Sequence, residues 1–301
     1  MRVLACVLAL AALAAAGTGG ATHAAACPTA TFRGATITAR CTPTGGGPLR
    51  SAQGRIATIH AVSSEETIEV DGKPVLRMHE DRSKVPGGVP GPLGLVMWSP
   101  DGRWLFYFID PFGSDSYAAD GLMLRALDVS TGKGIPVGRG LLSDDYRTWC
   151  GSTLVLTLGG NRIATDNKRL AVARAPGWEP HLLWKAPARA FGSLDCAPDG
   201  KSVVVQAQHE STDAHFFAPR WQLWRVGLDG SHTLLDAPPA GFADESPVWS
   251  PGGTAVAFVR ERKGYGSLEV LQNGHVFGPL ATLGYSLGYY GHHDWDVAWR
   301  A

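Results

Sequence analysis

A short marker recurs along this chain at intervals of about fifty residues, and that period limits the fold more than any other feature. Its best copies are Val96-Met97-Trp98-Ser99-Pro100-Asp101-Gly102 and Pro247-Val248-Trp249-Ser250-Pro251-Gly252-Gly253. Leu194-Asp195-Cys196-Ala197-Pro198-Asp199-Gly200 keeps the turn and replaces the Trp. Arg147-Thr148-Trp149-Cys150-Gly151 keeps the Trp and shortens the turn. Arg50-Ser51-Ala52-Gln53-Gly54 is a degraded copy, and Val297-Ala298-Trp299 a truncated one. The slots fall at 50, 98, 149, 196, 249 and 299, so the steps are 48, 51, 47, 53 and 50. A regular step of this size belongs to solenoids and propellers.

Each unit reads as four short strands. The marker ends the first. Pro then fixes φ and Gly accepts a positive φ, which turns the chain. The second strand is almost wholly apolar, as in 104–109, 154–158, 203–205 and 255–259, a pattern suited to burial on both faces. A third strand follows a loop of variable length, over 122–127, 170–173, 221–226 and 268–271. Asp71-Gly72, Thr131-Gly132, Pro176-Gly177, Asp229-Gly230 and Asn273-Gly274 then signal a hairpin into the fourth strand. No segment carries a convincing amphipathic-helix pattern. The expected fold is all-β: a six-bladed β-propeller of four-stranded antiparallel blades. The last blade would be completed by residues 28–41, turning near Arg33-Gly34. If the Arg50 copy is spurious, residues 55–84 complete it instead, and five blades result.

The markers resemble the repeats of TolB-like and WD-type β-propellers, in which the "WSPDG" stretch joins the innermost strand to the second. The resemblance covers nearly all of the chain after its leader. It is specific at 98–102 and 249–253, fair at 196–200 and weak at 50–54 and 149–151. It implies a docking surface, because TolB-like propellers typically act as such. The N-terminal α/β domain usual in the TolB family finds no room before the first marker, which argues against a Tol-type translocation role.

Residues 1–26 read as a signal peptide and 27–301 as the propeller domain. Arg2 precedes the apolar run 3–16, which is too short to span a bilayer, and Ala24-Ala25-Ala26 gives a small-x-small cleavage pattern. The expected location is secreted or in the cell envelope, periplasmic or extracellular. Lipidation at Cys27 is an alternative, since a Cys directly follows the cut. No later segment is long and apolar enough to cross a membrane as a helix. Lys plus Arg and Asp plus Glu both number 27, so the basic footprint of a nucleic-acid binder is missing. A monomer whose partner is a protein or envelope component is expected.

Outside the leader an even number of cysteines remains, which in an exported chain suggests disulfides. Three pairings are open, and free buried thiols are the alternative. Cys27–Cys41 with Cys150–Cys196 is preferred. Cys27 and Cys41 flank the Arg33-Gly34 turn. Cys196 occupies a marker slot and Cys150 lies one past the preceding slot, so their side chains face opposite ways on equivalent strands. Stacked neighbouring blades need that parity for a bridge. The marker Trp side chains are expected to fill gaps between blades.

Propeller connectivity puts first-to-second and third-to-fourth turns on one rim, and the other connections on the opposite rim. The second set reads as long and irregular: 110–120, 141–146, 161–168, 209–219, 237–245, 260–266 and 283–294. Function favours such loops on a rigid scaffold. The candidate binding residues there are Asp110, Asp115, Asp120, Asp144, Asp145, His209, Glu210, Asp213, His215, Asp244, Glu245, His292, His293 and Asp294. No cofactor is expected. Calcium on these oxygens, or another divalent ion on the His groups, is the open alternative, although neither the EF-hand nor the HExxH spacing is met. Gly284-Tyr285-Ser286-Leu287-Gly288 fits a nucleophile elbow in letters only, since its context reads as loop and strand. The expected role is non-catalytic docking through the long-loop rim. The alternative is a glycan-acting hydrolase or lyase using acidic and His residues at the channel mouth.

Overall fold

The structure, a computed structural model, describes residues 27–40, 48–62, 65–79, 93–109, 121–141, 144–160, 162–212, 220–286 and 295–300. In chain order the strands begin with β1 (Thr29–Phe32) and β2 (Ala35–Arg40). A first four-stranded group is β3 (Leu49–Arg50), β4 (Ile56–Val62), β5 (Glu65–Val70) and β6 (Lys73–His79). Next come β7 (Leu93–Trp98), β8 (Trp104–Ile109), β9 (Leu122–Asp128) and β10 (Lys133–Gly140). The third group is β11 (Arg147–Cys150), β12 (Thr153–Leu158), β13 (Arg169–Ala173) and β14 (His181–Leu182). The fourth is β15 (Arg189–Cys196), β16 (Ser202–His209), β17 (Gln222–Gly227) and β18 (His232–Asp236). The fifth is β19 (Ala243–Trp249), β20 (Val256–Arg262), β21 (Tyr265–Gln272) and β22 (His275–Tyr285), and β23 (Asp296–Arg300) follows. Each group is one antiparallel sheet in sequence order, and β1-β2-β23 makes a sixth, three-stranded sheet. Among the described residues the only helical element is a 3-10 turn at Asp144–Tyr146.

The marker works as read. The slot residues at 50, 98, 149, 196 and 249 lie at or next to the end of the first strand of their sheets, and Trp299 lies near the end of β23, at one edge of the sixth. After it one hydrogen-bonded turn repeats. Ser99 N donates to Trp104 O and Gly102 N to Ser99 O; Ala197 with Gly200 and Ser250 with Gly253 repeat this at 2.8 Å. The degraded copy is genuine, because Ser51 N donates to Arg55 O and Gly54 N to Ser51 O. Gly54, Gly102, Gly200 and Gly253 all hold φ between +67° and +81°, where a side chain would be strained. Residues 56–79 therefore belong to their own sheet. The strand carrying Trp299 pairs with the hairpin 29–40, with Ile37 opposite Trp299.

The core lies between the sheets rather than within any one. Five apolar clusters each join one sheet to the next. Ala57, Ile68 and Trp98 link the first and second, and Phe106, Leu124 and Leu156 the second and third. Val155, Leu194 and Val205 link the third and fourth, Val204, Leu223 and Phe258 the fourth and fifth, and Ile37 with Ala257 the fifth and sixth. The marker Trp residues fill these seams. Trp98 donates its indole N–H to Leu49 O at 3.0 Å, Trp149 packs edge-on to Phe106, and Trp249 and Trp299 join the last two clusters. Cys150 and Cys196 form a disulfide from β11 to β15, with Cα atoms 5.5 Å apart, as the parity argument requires. Cys41 lies outside the described residues, and so does the expected Cys27–Cys41 bridge.

Candidate functional site

Alternating strand direction separates the connections onto two rims. One rim carries the marker turns and the outer hairpins, of two to seven residues. These turns touch across sheets: Arg55 Nη1 donates to Gly102 O at 3.1 Å, and a Cβ on Gly253 would meet Pro198. The opposite rim carries the connections from second to third strand and from one sheet to the next. Two connections on this rim differ from the sequence reading. Residues 260–266 are no long loop, because β20 runs to Arg262 and β21 starts at Tyr265. Lys263 and Gly264, with φ of 52° and 82°, make a two-residue hairpin turn. Residues 243–245 likewise belong to β19 and not to a loop.

Asp110, Asp115, Asp120, Asp213, His215, His292, His293 and Asp294 lie outside the described residues. Asp144 opens the 3-10 turn. His209 ends β16 and is exposed, its Nδ1 3.1 Å from Glu210 O. Glu210 accepts from Asn167 N at 3.1 Å and pairs with Arg169 Nη1. Beside it, Lys168 is fully buried and donates from Nζ to Ile163 O at 2.9 Å and Asp166 O at 3.1 Å. Burial lowers its pKa to about 8, while Asp166 and Glu210 resist the fall.

Asp244 and Glu245 are buried, contrary to a solvated-loop reading. Asp244 faces Arg260 of β20, with Oδ1 at 2.8 Å from Nε and Oδ2 at 2.9 Å from Nη2. Arg260 also pairs with Asp236, at the end of β18, and with Glu269 at 3.1 Å. One guanidinium therefore meets three carboxylates. Burial raises Asp244 to about 8; Arg260 opposes this, and the adjacent Asp236 carboxylate adds to it.

The inner strands bring other groups together. Ser193 in β15 donates its hydroxyl to Asp145 Oδ2. Ser246 in β19 takes Gln206 Oε1 on its backbone N–H at 2.8 Å and donates Oγ to Trp295 O at 2.6 Å. Both serines sit where β15 and β19 shift register, so a bulge aims them at neighbouring sheets. Tyr146 is buried, and its phenol is pushed well above its ordinary range by burial, then by Asp145 and Glu245. The candidates Asp145, in the 3-10 turn, and Glu245, in β19, thus act on one phenol. Among the described residues no group of three or more His, Cys, Asp or Glu side chains is placed to hold a metal ion. Sequence reasoning missed Tyr146, Lys168, Ser193 and Arg260. Only Lys168 and Arg260 left a trace, as charges at the edge of apolar strands.

No protein-family model and no curated protein matches the chain. Solved structures do. A TolB candidate from Agrobacterium tumefaciens is 18% identical, covering 85% of this chain and 89% of its own, with a TM-score of 0.43. A prolyl endopeptidase is 13% identical at a TM-score of 0.50, covering 89% of this chain and 39% of its own. An oligogalacturonate lyase in complex with manganese is 15% identical at 0.44, covering 83% of this chain and 72% of its own. The likeness is one of fold. The chain spans well under half the length of the prolyl endopeptidase it matches.

Proposed function

We propose that this chain is a secreted or envelope-associated, TolB-like six-bladed propeller. It binds a protein or envelope component, without catalysis, through the rim of long connections. The six sheets act as blades of one ring, sealed where the sheet of residues 29–40 and 296–300 meets β3–β6. The Cys150–Cys196 disulfide supports an oxidising compartment. Among the described residues no helix is long and apolar enough to cross a membrane. The observation that carries docking is Tyr265 beside Tyr285. Their rings are 5.2 Å apart, 62% and 49% exposed, on the long-connection rim. Exposed aromatic anchors on a rigid hairpin suit a protein interface. The described acids of that rim brace it, since Asp244, Glu210 and Asp145 all have internal partners.

Cross-linking capture from an envelope fraction, quantified for the parent and for Tyr265→Ala/Tyr285→Ala, tests the reading. A specific partner should fall about tenfold, as loss of a hot spot predicts. A Lys133→Ala change on the turn rim should leave capture unchanged. Equal capture by all three proteins would sink the docking rim. The second reading, a glycan-acting hydrolase or lyase, rests on Asp145 and Glu245 about Tyr146. Polysaccharide cleavage by the parent that is lost in Asp145→Asn would favour it.

A further inference from the structure

A row of side chains crosses the long-connection end of the fifth sheet. Arg262 of β20 stands opposite Tyr265 of β21, and Tyr265 stands opposite Tyr285 of β22. Residues directly opposite one another on neighbouring strands share a face of the sheet. Phe242, the residue before β19, carries the row to the remaining strand, since its ring lies 5.1 Å from the Arg262 guanidinium carbon. Arg262, Tyr265 and Tyr285 are exposed, and Phe242 is half-buried. Three strand spacings of about 4.8 Å make the row about 14 Å long, the reach of about four residues of extended chain.

The row rests on a fixed base. The next register position inward pairs Asp244 with Arg260 and Arg260 with Ser267. There Arg260 holds Asp244, Asp236 and Glu269 together. At the tip, Glu261 accepts from Gly264 N, and Ser286 N donates to Gly264 O at 2.8 Å. Behind the hairpin, Trp295 lies so close to Gly266 that a Cβ there would meet its ring at 2.8 Å. A surface shaped before its partner arrives loses little freedom on binding.

The charge of this tip is one-sided. Arg262 and Lys263 are both exposed, and no carboxylate pairs with either among the described residues. The acids nearby are engaged internally, three on Arg260 and Glu261 on the Gly264 amide. Two free cations therefore flank two exposed phenol rings in one short line. Tyr and Arg are the side chains that dominate protein interfaces, which favours a polypeptide as occupant. We propose that this row binds an extended acidic segment of a partner protein. Its carboxylates meet Arg262 and Lys263, and its apolar side chains lie across Tyr265 and Tyr285. The inference rests on the docking reading above and adds the chemistry of the partner.

Two short fluorescent peptides test it by anisotropy titration, one alternating Glu with Leu and the other alternating Lys with Leu. The parent should bind the Glu peptide saturably and about tenfold more tightly than the Lys peptide, as charge-assisted bonds predict. Arg262→Glu should reverse that preference. Lys263→Asn keeps a residue that tolerates the φ of 52° found there and should weaken only the Glu peptide. Tyr265→Ala/Tyr285→Ala should weaken both peptides about tenfold. Thermal melts verify folding, and the two exposed cations keep the test open if the double Tyr variant fails to fold. No saturable binding of the Glu peptide, equal binding of both peptides, or an unchanged preference in Arg262→Glu would overturn the proposal. So would an oligoglucuronate that binds with Arg262 dependence where the Glu peptide does not. In the envelope capture described above, a loss in the double Tyr variant but not in Arg262→Glu would remove the acidic partner and leave docking intact. No loss in either would remove docking as well.

Discussion

Asp128 and Asp244 each lie against an arginine on opposite rims, and their environments push them in opposite directions. Asp128 ends β9 on the turn rim and is 5% exposed. Burial works to raise its pKa, but Ser130 and Arg103 outweigh it and hold the carboxyl at about 2. Ser130 supplies its N–H at 3.0 Å and its hydroxyl at 2.6 Å, while Arg103 Nη2 lies at 2.8 Å. Asp244 is fully buried and has Arg260, yet Arg260 is shared with Asp236 and Glu269. The lesson is that an arginine partner does not decide a carboxylate's charge. The balance of burial, neutral donors and competing carboxylates does.

The largest expected effects test the framework and the shared arginine. Breaking the disulfide with Cys150→Ala/Cys196→Ala should cost about 4 kcal/mol by the chain-entropy relation for its 46-residue separation. Urea denaturation measures this, and the pH response should be unaltered. Arg260→Met should cost about 3–5 kcal/mol, because it strands buried carboxylates. Arg103→Met, at an exposed guanidinium, should cost far less. Equal losses would abolish the contrast between the rims.

The pH response sharpens it. Asp244 binds a proton up to about pH 8 in the fold, but only to about 3.8 when exposed. Its contribution to stability is full below 3.8 and disappears as pH rises through about 8. Asp128 contributes above 3.8, and that share disappears as pH falls toward about 2. Urea midpoints followed across pH should therefore flatten between about pH 4 and 8 in Asp244→Asn and between about pH 2 and 4 in Asp128→Asn. The smallest effect is Ser99→Ala, which removes the hydroxyl that accepts Trp104 N at 2.9 Å. It should lower stability by about 1 kcal/mol in thermal melts, with no change in pH response.

The turn rim was legible because its signals are local. Pro, Asp and Gly act within four residues, and each copy of the marker makes its own turn. The Cys150–Cys196 bridge was legible because strand parity is also local. The opposite rim was not. Asp244 and Glu245 read as loop because charges and Pro247 interrupt the strand pattern, and the register shift between Glu245 and Val248 hides the alternation. Arg260, which lets Asp244 be buried, lies sixteen residues away on the partner strand. The Lys263-Gly264 turn was missed because Arg260, Glu261 and Arg262 look like loop although they continue β20. The degraded Arg50 copy lacks Trp and Pro, and only its hydrogen bonds reveal it.

The β2–β23 pairing sets Thr36 against Arg300, positions 264 apart. A ribosome adding about 5–20 residues per second leaves the early hairpin without this neighbour until all the strands between them have been made. Five sheets can therefore mature in order during synthesis while one hairpin waits. Truncation after position 295 would leave that hairpin's inner edge bare. Such a product should keep the middle sheets yet be cut first by protease near residue 40.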